Sequence, residues 1–126
     1  MHLRVNADDL GLSARVNDEA FELISRGLID SASVIANAPE TGDAIRRAKQ
    51  FSQCRFGLHL NITQFKPLRA DAAFAPVLKP DGSFTNVFWR VHKDNSLRRA
   101  IYQEWVQPGS ALPGIGIAPG TSRLPP

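Results

Sequence analysis

The chain has 126 residues, of which 43% are hydrophobic, and a formal net charge of +3. It contains no apolar stretch close to the roughly 20 residues that span a bilayer, and its first residues lack the apolar segment of a secretory signal. These features predict one soluble domain, or part of one, in the cytoplasm. The single cysteine, Cys54, excludes an internal disulfide. The basic residues are dispersed rather than gathered in a stripe, which argues against a nucleic-acid partner.

Residues 3–62 alternate between short apolar segments and amphipathic segments. The apolar segments have the length of buried strands, and the amphipathic segments place apolar residues at i, i+4, i+7 and i+8 or close to it. Ser13 and Thr41 are predicted to cap the two helices, and Gly27 to end the first one. The predicted strands are Leu3–Ala7, Ser33–Ala36 and Arg55–Ile62.

Three strands separated by two helices with short connections are typical of βαβ units. Such units form a parallel sheet through right-handed crossovers. The carboxyl ends of parallel strands meet at one edge, which is where ligand sites of open sheets and barrels lie. Asp8, Asp9, Asn37, His59 and Asn61 are all predicted at that edge.

The regular alternation ends after residue 63. Pro67, Pro76 and Pro80 punctuate a loop-rich stretch, a short strand is predicted within residues 84–89, and a last helix is predicted from Ser96 until Pro108 ends it. Residues 108–126 contain five prolines and four glycines without periodicity. We therefore predict a folded region over residues 1–107 and a disordered tail over 108–126.

A carboxylate and an imidazole are predicted to share a metal ion. If the sheet belongs to a closed barrel, the inward side chains of strands one and three occupy one layer, so Asp9 and His59 can face one ion. Such ligands suit zinc or a similar divalent cation, which usually takes three protein ligands in a catalytic site. Each residue also has a simpler interpretation, since Asp-Asp before Leu-Gly can be a turn device and His59 a hydrogen-bonded core histidine.

Three motifs resemble the YdjC-like family of carbohydrate deacetylases, which includes chitooligosaccharide deacetylases and hopanoid-biosynthesis-associated members. They occur in the family's order within residues 3–107, and the later Asp81-Gly82-Ser83-Phe84 also fits. The motifs are Asn6-Ala7-Asp8-Asp9-Leu10-Gly11-Leu12-Ser13 followed by Val16-Asn17, then Ser33-Val34-Ile35-Ala36-Asn37-Ala38-Pro39, then Gly57-Leu58-His59-Leu60-Asn61-Ile62-Thr63.

The resemblance implies an α/β fold, the N-terminal part of a TIM-like (β/α) barrel of the glycoside hydrolase/deacetylase type. It implies hydrolysis of an N-acetyl group from an amino sugar or chitooligosaccharide with a divalent metal, Mg or Zn. Asp9 and His59 would be metal ligands and Asp8 the general base, although the roles of the two aspartates could be reversed. Asn37 and Asn61 would line the sugar pocket.

Two departures from the family pattern bear on activity. The third motif continues as Gln64-Phe65-Lys66-Pro67, without the usual glycine before the proline, and the family's later His-x-His, which would supply the third metal ligand, is absent. A frameshift or premature stop near codon 107 would produce the change to a Pro/Gly-rich tail, which is our hypothesis for it. No general acid is identified.

Alternative functions differ in what they require. A catalytically inactive fragment would only bind metal, sugar or a partner chain, and a homodimer would be one such partnership. A phosphoesterase would use the same Asp-Asp and His, but it should bring basic residues to the sheet edge, and the three motifs contain none. A membrane partner is not expected.

Overall fold

The computed structural model describes residues 3–86 and 94–111. The strands are β1 (Asn6–Leu10), β2 (Ser31–Ile35) and β3 (Arg55–His59); the helices are α1 (Ala14–Ser25), α2 (Thr41–Ala48) and α3 (Asn95–Ala111), and a 3₁₀ helix covers Ala72–Val77. Within the described ranges, none of the helices combines the length and apolar character needed to cross a membrane.

The three strands form one parallel sheet in the order β1-β2-β3. The central strand β2 pairs with β3 in continuous register, so that Ser33 lies opposite Gly57 and Ile35 opposite His59. The predicted βαβ arrangement is confirmed. The predicted third strand was too long, because β3 ends at His59 and Asn61 lies in the loop that follows.

Strand β1 is shifted along the chain from its prediction. The predicted segment Leu3–Ala7 was chosen for its apolar residues, yet Leu3 is 80% exposed and the fully buried residue is Leu10. Because Leu10 is buried, the strand continues through Asp8 and Asp9. Both aspartates had been predicted to follow the strand rather than to lie in it. The pairing with β2 shifts register between Ala7 and Leu10, and Asp9 has φ 68°, a left-handed conformation that disturbs the side-chain alternation.

Helix α1 begins and ends as predicted. The Val16 N–H donates to the Ser13 hydroxyl at 3.2 Å, which makes Ser13 the N-cap. Gly27 follows the last turn with φ 69°, the left-handed conformation that glycine adopts without a Cβ penalty. Thr41, by contrast, is the first residue of α2 rather than its cap, because its hydroxyl donates to the Ile35 carbonyl at the end of β2.

A buried asparagine joins the turn after β1 to the start of α2. The Asn17 side chain is completely buried; its Oδ1 accepts from the Gly11 N–H at 2.8 Å, and its Nδ2 donates to the Glu40 carbonyl and to the Asp43 carboxylate. This hydrogen bond from Asn17 is the main reason that the pKa of Asp43 is lowered, although the nearby Arg46 contributes. The β1–α1 turn is therefore fixed against α2.

Two hydrophobic clusters form the interior. The first cluster lies between the sheet and helices α1 and α2, and the second cluster packs the 3₁₀ helix against α3. The first contains Leu10, Ala20, Phe21, Ile24, Ile29, Ala32, Val34, Ala44, Ala48 and Cys54; the second contains Phe74, Val77, Phe84, Leu97, Ala100 and Ile101.

The segment beyond residue 63 agrees only partly with the sequence prediction. Phe84 forms an isolated antiparallel bridge with Leu78, while residues 87–89 of the predicted strand lie outside the described residues. The prediction that Pro108 ends the last helix is wrong, since α3 extends to Ala111. Proline removes its own N–H donor and its ring crowds the carbonyl four residues earlier, yet α3 continues for three residues beyond Pro108. Of the predicted tail, residues 112–126 lie outside the described residues.

Candidate functional site

Four polar side chains from the three strands meet near the carboxyl ends of the sheet. Asp8 and Asp9 come from β1, Ser33 from β2 and His59 from the last position of β3. The Asp9 Oδ1 lies 3.5 Å from the His59 Nδ1. The structure thus brings together the carboxylate and the imidazole that the sequence predicted to be neighbours, and the left-handed conformation of Asp9 lets it share this edge with Asp8.

Ser33 connects Asp8 to His59. Its hydroxyl donates to the Asp8 Oδ1 at 2.6 Å, and its oxygen lies 3.2 Å from the His59 Nδ1. Asp8 also accepts from the Asn6 side-chain amide at 2.8 Å. Two donors, the Asn6 amide and the Ser33 hydroxyl, therefore hold the Asp8 carboxylate in place. Both of them contact the same oxygen, Oδ1.

Ser33 was not predicted as a site residue from the sequence, although a signal was present. Within β2 the buried Ala32 and Val34 face the first cluster, so Ser33 must project from the opposite face of the sheet. A small polar residue on that face of a central strand, between strands that carry Asp8 and His59, was the available indication.

A cavity of about 260 Å³ opens beside these residues. Asp9 and His59 form part of its wall, and the loop after β3 and the indole of Trp105 on α3 form the rest. Such a mixture of apolar surface and a few polar groups is typical of small-molecule sites. The lining residues are Asp9, Leu12, Ile35, His59, Leu60, Asn61, Ile62, Thr63, Gln64 and Trp105.

The two predicted sugar-contacting asparagines bind each other and the loop after β3. Asn37 donates through Nδ2 to the carbonyls of Gln64 and Lys66, and its Oδ1 accepts from Asn61 at 2.9 Å. Asn61 donates also to the Gln64 carbonyl and accepts from Thr63. Both amide N–H donors of each side chain are thus used within the protein. Their contact with a sugar stays a prediction. Of the two, only Asn61 lines the cavity of about 260 Å³ beside Asp9 and His59.

A buried carboxyl anchors the same loop to α3. Glu104 is 3% exposed and accepts from the backbone N–H groups of Leu68 and Arg69. Burial raises the pKa of Glu104, and these two hydrogen bonds oppose that change only in part. The loop that forms one wall of the cavity is therefore held from β2 by Asn37 and from α3 by Glu104.

The donor set fits a divalent cation in part. Ligands about 2.1 Å from a tetrahedral ion are about 3.4 Å apart, close to the 3.5 Å between the Asp9 Oδ1 and the His59 Nδ1. Both side chains are partly exposed, so an ion can reach them. Over residues 3–86 and 94–111, no group of three or more His, Cys, Asp or Glu side chains forms a complete metal site. The described part of the chain thus brings together two side chains of the types that bind zinc, whereas a catalytic zinc usually takes three protein ligands.

The profile of the YdjC-like protein family matches residues 2–107. The chain belongs to the YdjC-like family. This confirms the resemblance carried by the three motifs, all of which lie within the matched region.

Relatives of this YdjC-like chain include proteins named carbohydrate deacetylase. That of Halalkalibacterium halodurans is 27% identical over 107 residues, which are 83% of this chain and 44% of the relative. That of Thermoanaerobacter pseudethanolicus is 30% identical over 69% of this chain and 35% of the relative. That of Geobacillus stearothermophilus is 39% identical over 51% of this chain and 26% of the relative. The chain thus spans less than half the length of these relatives.

A solved structure shares the fold. It is a candidate cellobiose-phosphate cleavage protein from Enterococcus faecalis, with a TM-score of 0.67 and 25% sequence identity, and the match covers 82% of this chain and 40% of that one. The expected fold class is confirmed: the YdjC-like chain has the α/β fold of the N-terminal part of a TIM-like (β/α) barrel, with its first three parallel strands in barrel order.

Proposed function

We propose that this YdjC-like chain carries part of the site of a divalent-metal-dependent hydrolase that removes N-acetyl groups from an amino sugar or a chitooligosaccharide-like substrate. The observation that carries the proposal is the 3.5 Å approach of Asp9 to His59 beside Asp8, at the edge of the sheet and open to a cavity. The relatives named carbohydrate deacetylase support the reaction type.

Each polar side chain has a distinct role in the proposed reaction. Asp9 and His59 would hold the ion, Mg or Zn, which when bound supplies polarisation of the acetyl carbonyl. Asp8 would act as general base and take a proton from the water that attacks this carbonyl. The carbon–nitrogen bond then breaks, and acetate and a free amine are released. The proton that the amine requires comes from a group not identified in this chain.

Acetate release tests the proposal. Purified protein with a divalent metal should release acetate from N-acetylated chitooligosaccharide. Asp8→Asn should lower the rate by about 100-fold or more, since general-base catalysis contributes on that order, and His59→Ala should lower metal affinity as well. Asp18→Asn is the matched control, because Asp18 is exposed on α1 and pairs with Arg47 away from the sheet edge. Release that persists unchanged in Asp8→Asn and His59→Ala would contradict the proposed site.

One observation favours a second function, in which the chain binds metal, sugar or a partner chain without catalysis. Among the described residues, no group of three or more His, Cys, Asp or Glu side chains could hold a metal ion, as expected of a fragment that only binds metal, sugar or a partner chain. Isothermal titration with Zn²⁺ distinguishes the two functions. Zinc binding that needs Asp9 and His59, without acetate release at any metal concentration, would favour the binding function over catalysis.

A further inference from the structure

The geometry points to Trp105 as the aromatic wall of an amino-sugar subsite beside Asp9 and His59, an inference that rests on the proposed function. Trp105 lies on α3, more than forty positions after His59 in the chain, yet its side chain lines the same cavity as Asp9 and His59. It also lines a smaller adjoining cavity with Asn37 and Leu68. The indole therefore borders the space that a substrate held at the sheet edge would fill.

The position of the Trp105 indole is fixed by packing and by the anchoring of α3. Trp105 packs against the second cluster, and its neighbour Glu104 fixes this turn of α3 to the loop at Leu68 and Arg69. The indole thus has apolar contacts with the second cluster and also borders the cavity. A rigid aromatic surface of this kind suits the apolar C–H face of a pyranose ring, because it contributes a large contact area at little cost in side-chain entropy.

The indole N–H of Trp105 is a second reason to place a sugar beside this side chain. Trp105 Nε1 is buried and has no hydrogen-bond partner among the described residues, whereas buried polar groups in folded proteins are nearly always paired. A hydroxyl or acetyl oxygen of the sugar would supply the acceptor that the N–H lacks.

The other aromatic candidates do not compete for this role within the described part of the chain. Phe84 is fully buried and meets Phe74 edge to face at 5.3 Å in the second cluster. Phe88 and Trp89 lie outside the described residues.

Tryptophan fluorescence tests the inference directly. The chain has two tryptophans, so Trp89→Phe leaves Trp105 as the only indole. Titration of this variant with chitotriose, in EDTA so that no hydrolysis occurs, should give a saturable change in emission. In the Trp89→Phe background, Trp105→Leu should weaken binding measured by calorimetry about threefold to tenfold, and Trp105→Tyr should restore part of it. Urea midpoints of both variants show whether the fold is kept.

The outcomes separate this inference from the proposed function. Chitotriose binding with no response of Trp105 emission, equal affinity in Trp105→Leu, or no binding at all would overturn the inference. If Trp105 responds to the sugar but no acetate is released with metal present, the subsite stands and the deacetylase proposal fails. If acetate is released with a KM unaffected by Trp105→Leu, the reaction stands and the subsite fails.

Discussion

Asp8 and Asp9 are adjacent in sequence but have different partners. Asp8 accepts hydrogen bonds from Asn6 and Ser33, whereas Asp9 approaches His59. In a regular strand the two carboxylates would point to opposite faces. The left-handed backbone of Asp9 removes that restriction, at a cost of about 1–3 kcal/mol for a non-glycine residue. Strain at this position is understandable if both carboxylates must serve one site.

Ser33 should act as a positioning residue for Asp8. Ser33→Ala removes the 2.6 Å hydrogen bond that holds the carboxylate, so kcat for acetate release should fall about 10-fold to 150-fold, since a hydrogen bond to a charged group contributes about 1.5–3 kcal/mol. KM should change little, because Ser33 does not line the cavity. Ser33→Thr keeps the hydroxyl and is the matched control. A loss of kcat in Ser33→Thr as large as in Ser33→Ala would contradict the hydrogen-bonding role.

The turn between β1 and α1 depends on a glycine. Gly11 has φ 93°, and a Cβ there would lie 3.1 Å from the Thr41 Cα. Gly11→Ala should therefore lower the free energy of unfolding by about 1–3 kcal/mol, because both the left-handed backbone and the backbone contact oppose a side chain. Gly42→Ala is the control, since Gly42 lies in α2 with open space around it. Urea unfolding followed by circular dichroism measures both, and equal losses would contradict the role of this turn.

Glu104 should make the stability of the α3–loop connection depend on pH. Burial raises the pKa of Glu104 above its ordinary value of 4.5. The folded state then binds more protons than the unfolded state between the two pKa values, so this contribution is present at low pH and is lost as pH rises through the folded pKa. The stability of the wild-type protein relative to Glu104→Gln should accordingly fall as the pH rises above the ordinary carboxyl pKa of 4.5.

Urea unfolding at a series of pH values provides the measurement for Glu104. Gln50→Glu adds an exposed carboxyl after α2 and serves as the control, with no comparable dependence expected. A difference between wild type and Glu104→Gln that is constant over this range would rule out a raised pKa at Glu104.

The elements with strong local signals were the ones that the sequence predicted well. Helix α1 has a serine cap, a periodic apolar face and a terminal glycine, and all three are confirmed. Strand β1 was displaced because its position depends on the burial of Leu10 against other elements, which no local pattern reports. The meeting of Asp9 with His59 followed from parallel topology, whereas the contacts of Ser33 and Trp105 required strand register and the packing of α3.

At the scale of the whole molecule, the sheet has two unpaired edges within the described residues. Strand β2 is central, while β1 and β3 each pair on one side only. In a complete (β/α) barrel eight strands close on each other and no edge remains. An unpaired strand is a template for pairing with another chain, and Leu60, directly after β3, is 49% exposed.

The β3 edge should therefore drive self-association of this 126-residue chain. Light scattering coupled to size-exclusion chromatography should show an average mass that rises with protein concentration. Leu60→Lys should reduce the association, because a lysine at a strand edge opposes pairing with a second chain. Leu28→Lys is the matched control, since Leu28 is 51% exposed in the connection between α1 and β2 rather than next to β3. A monomer at all concentrations, or equal effects of the two lysines, would show that the β3 edge is not the contact.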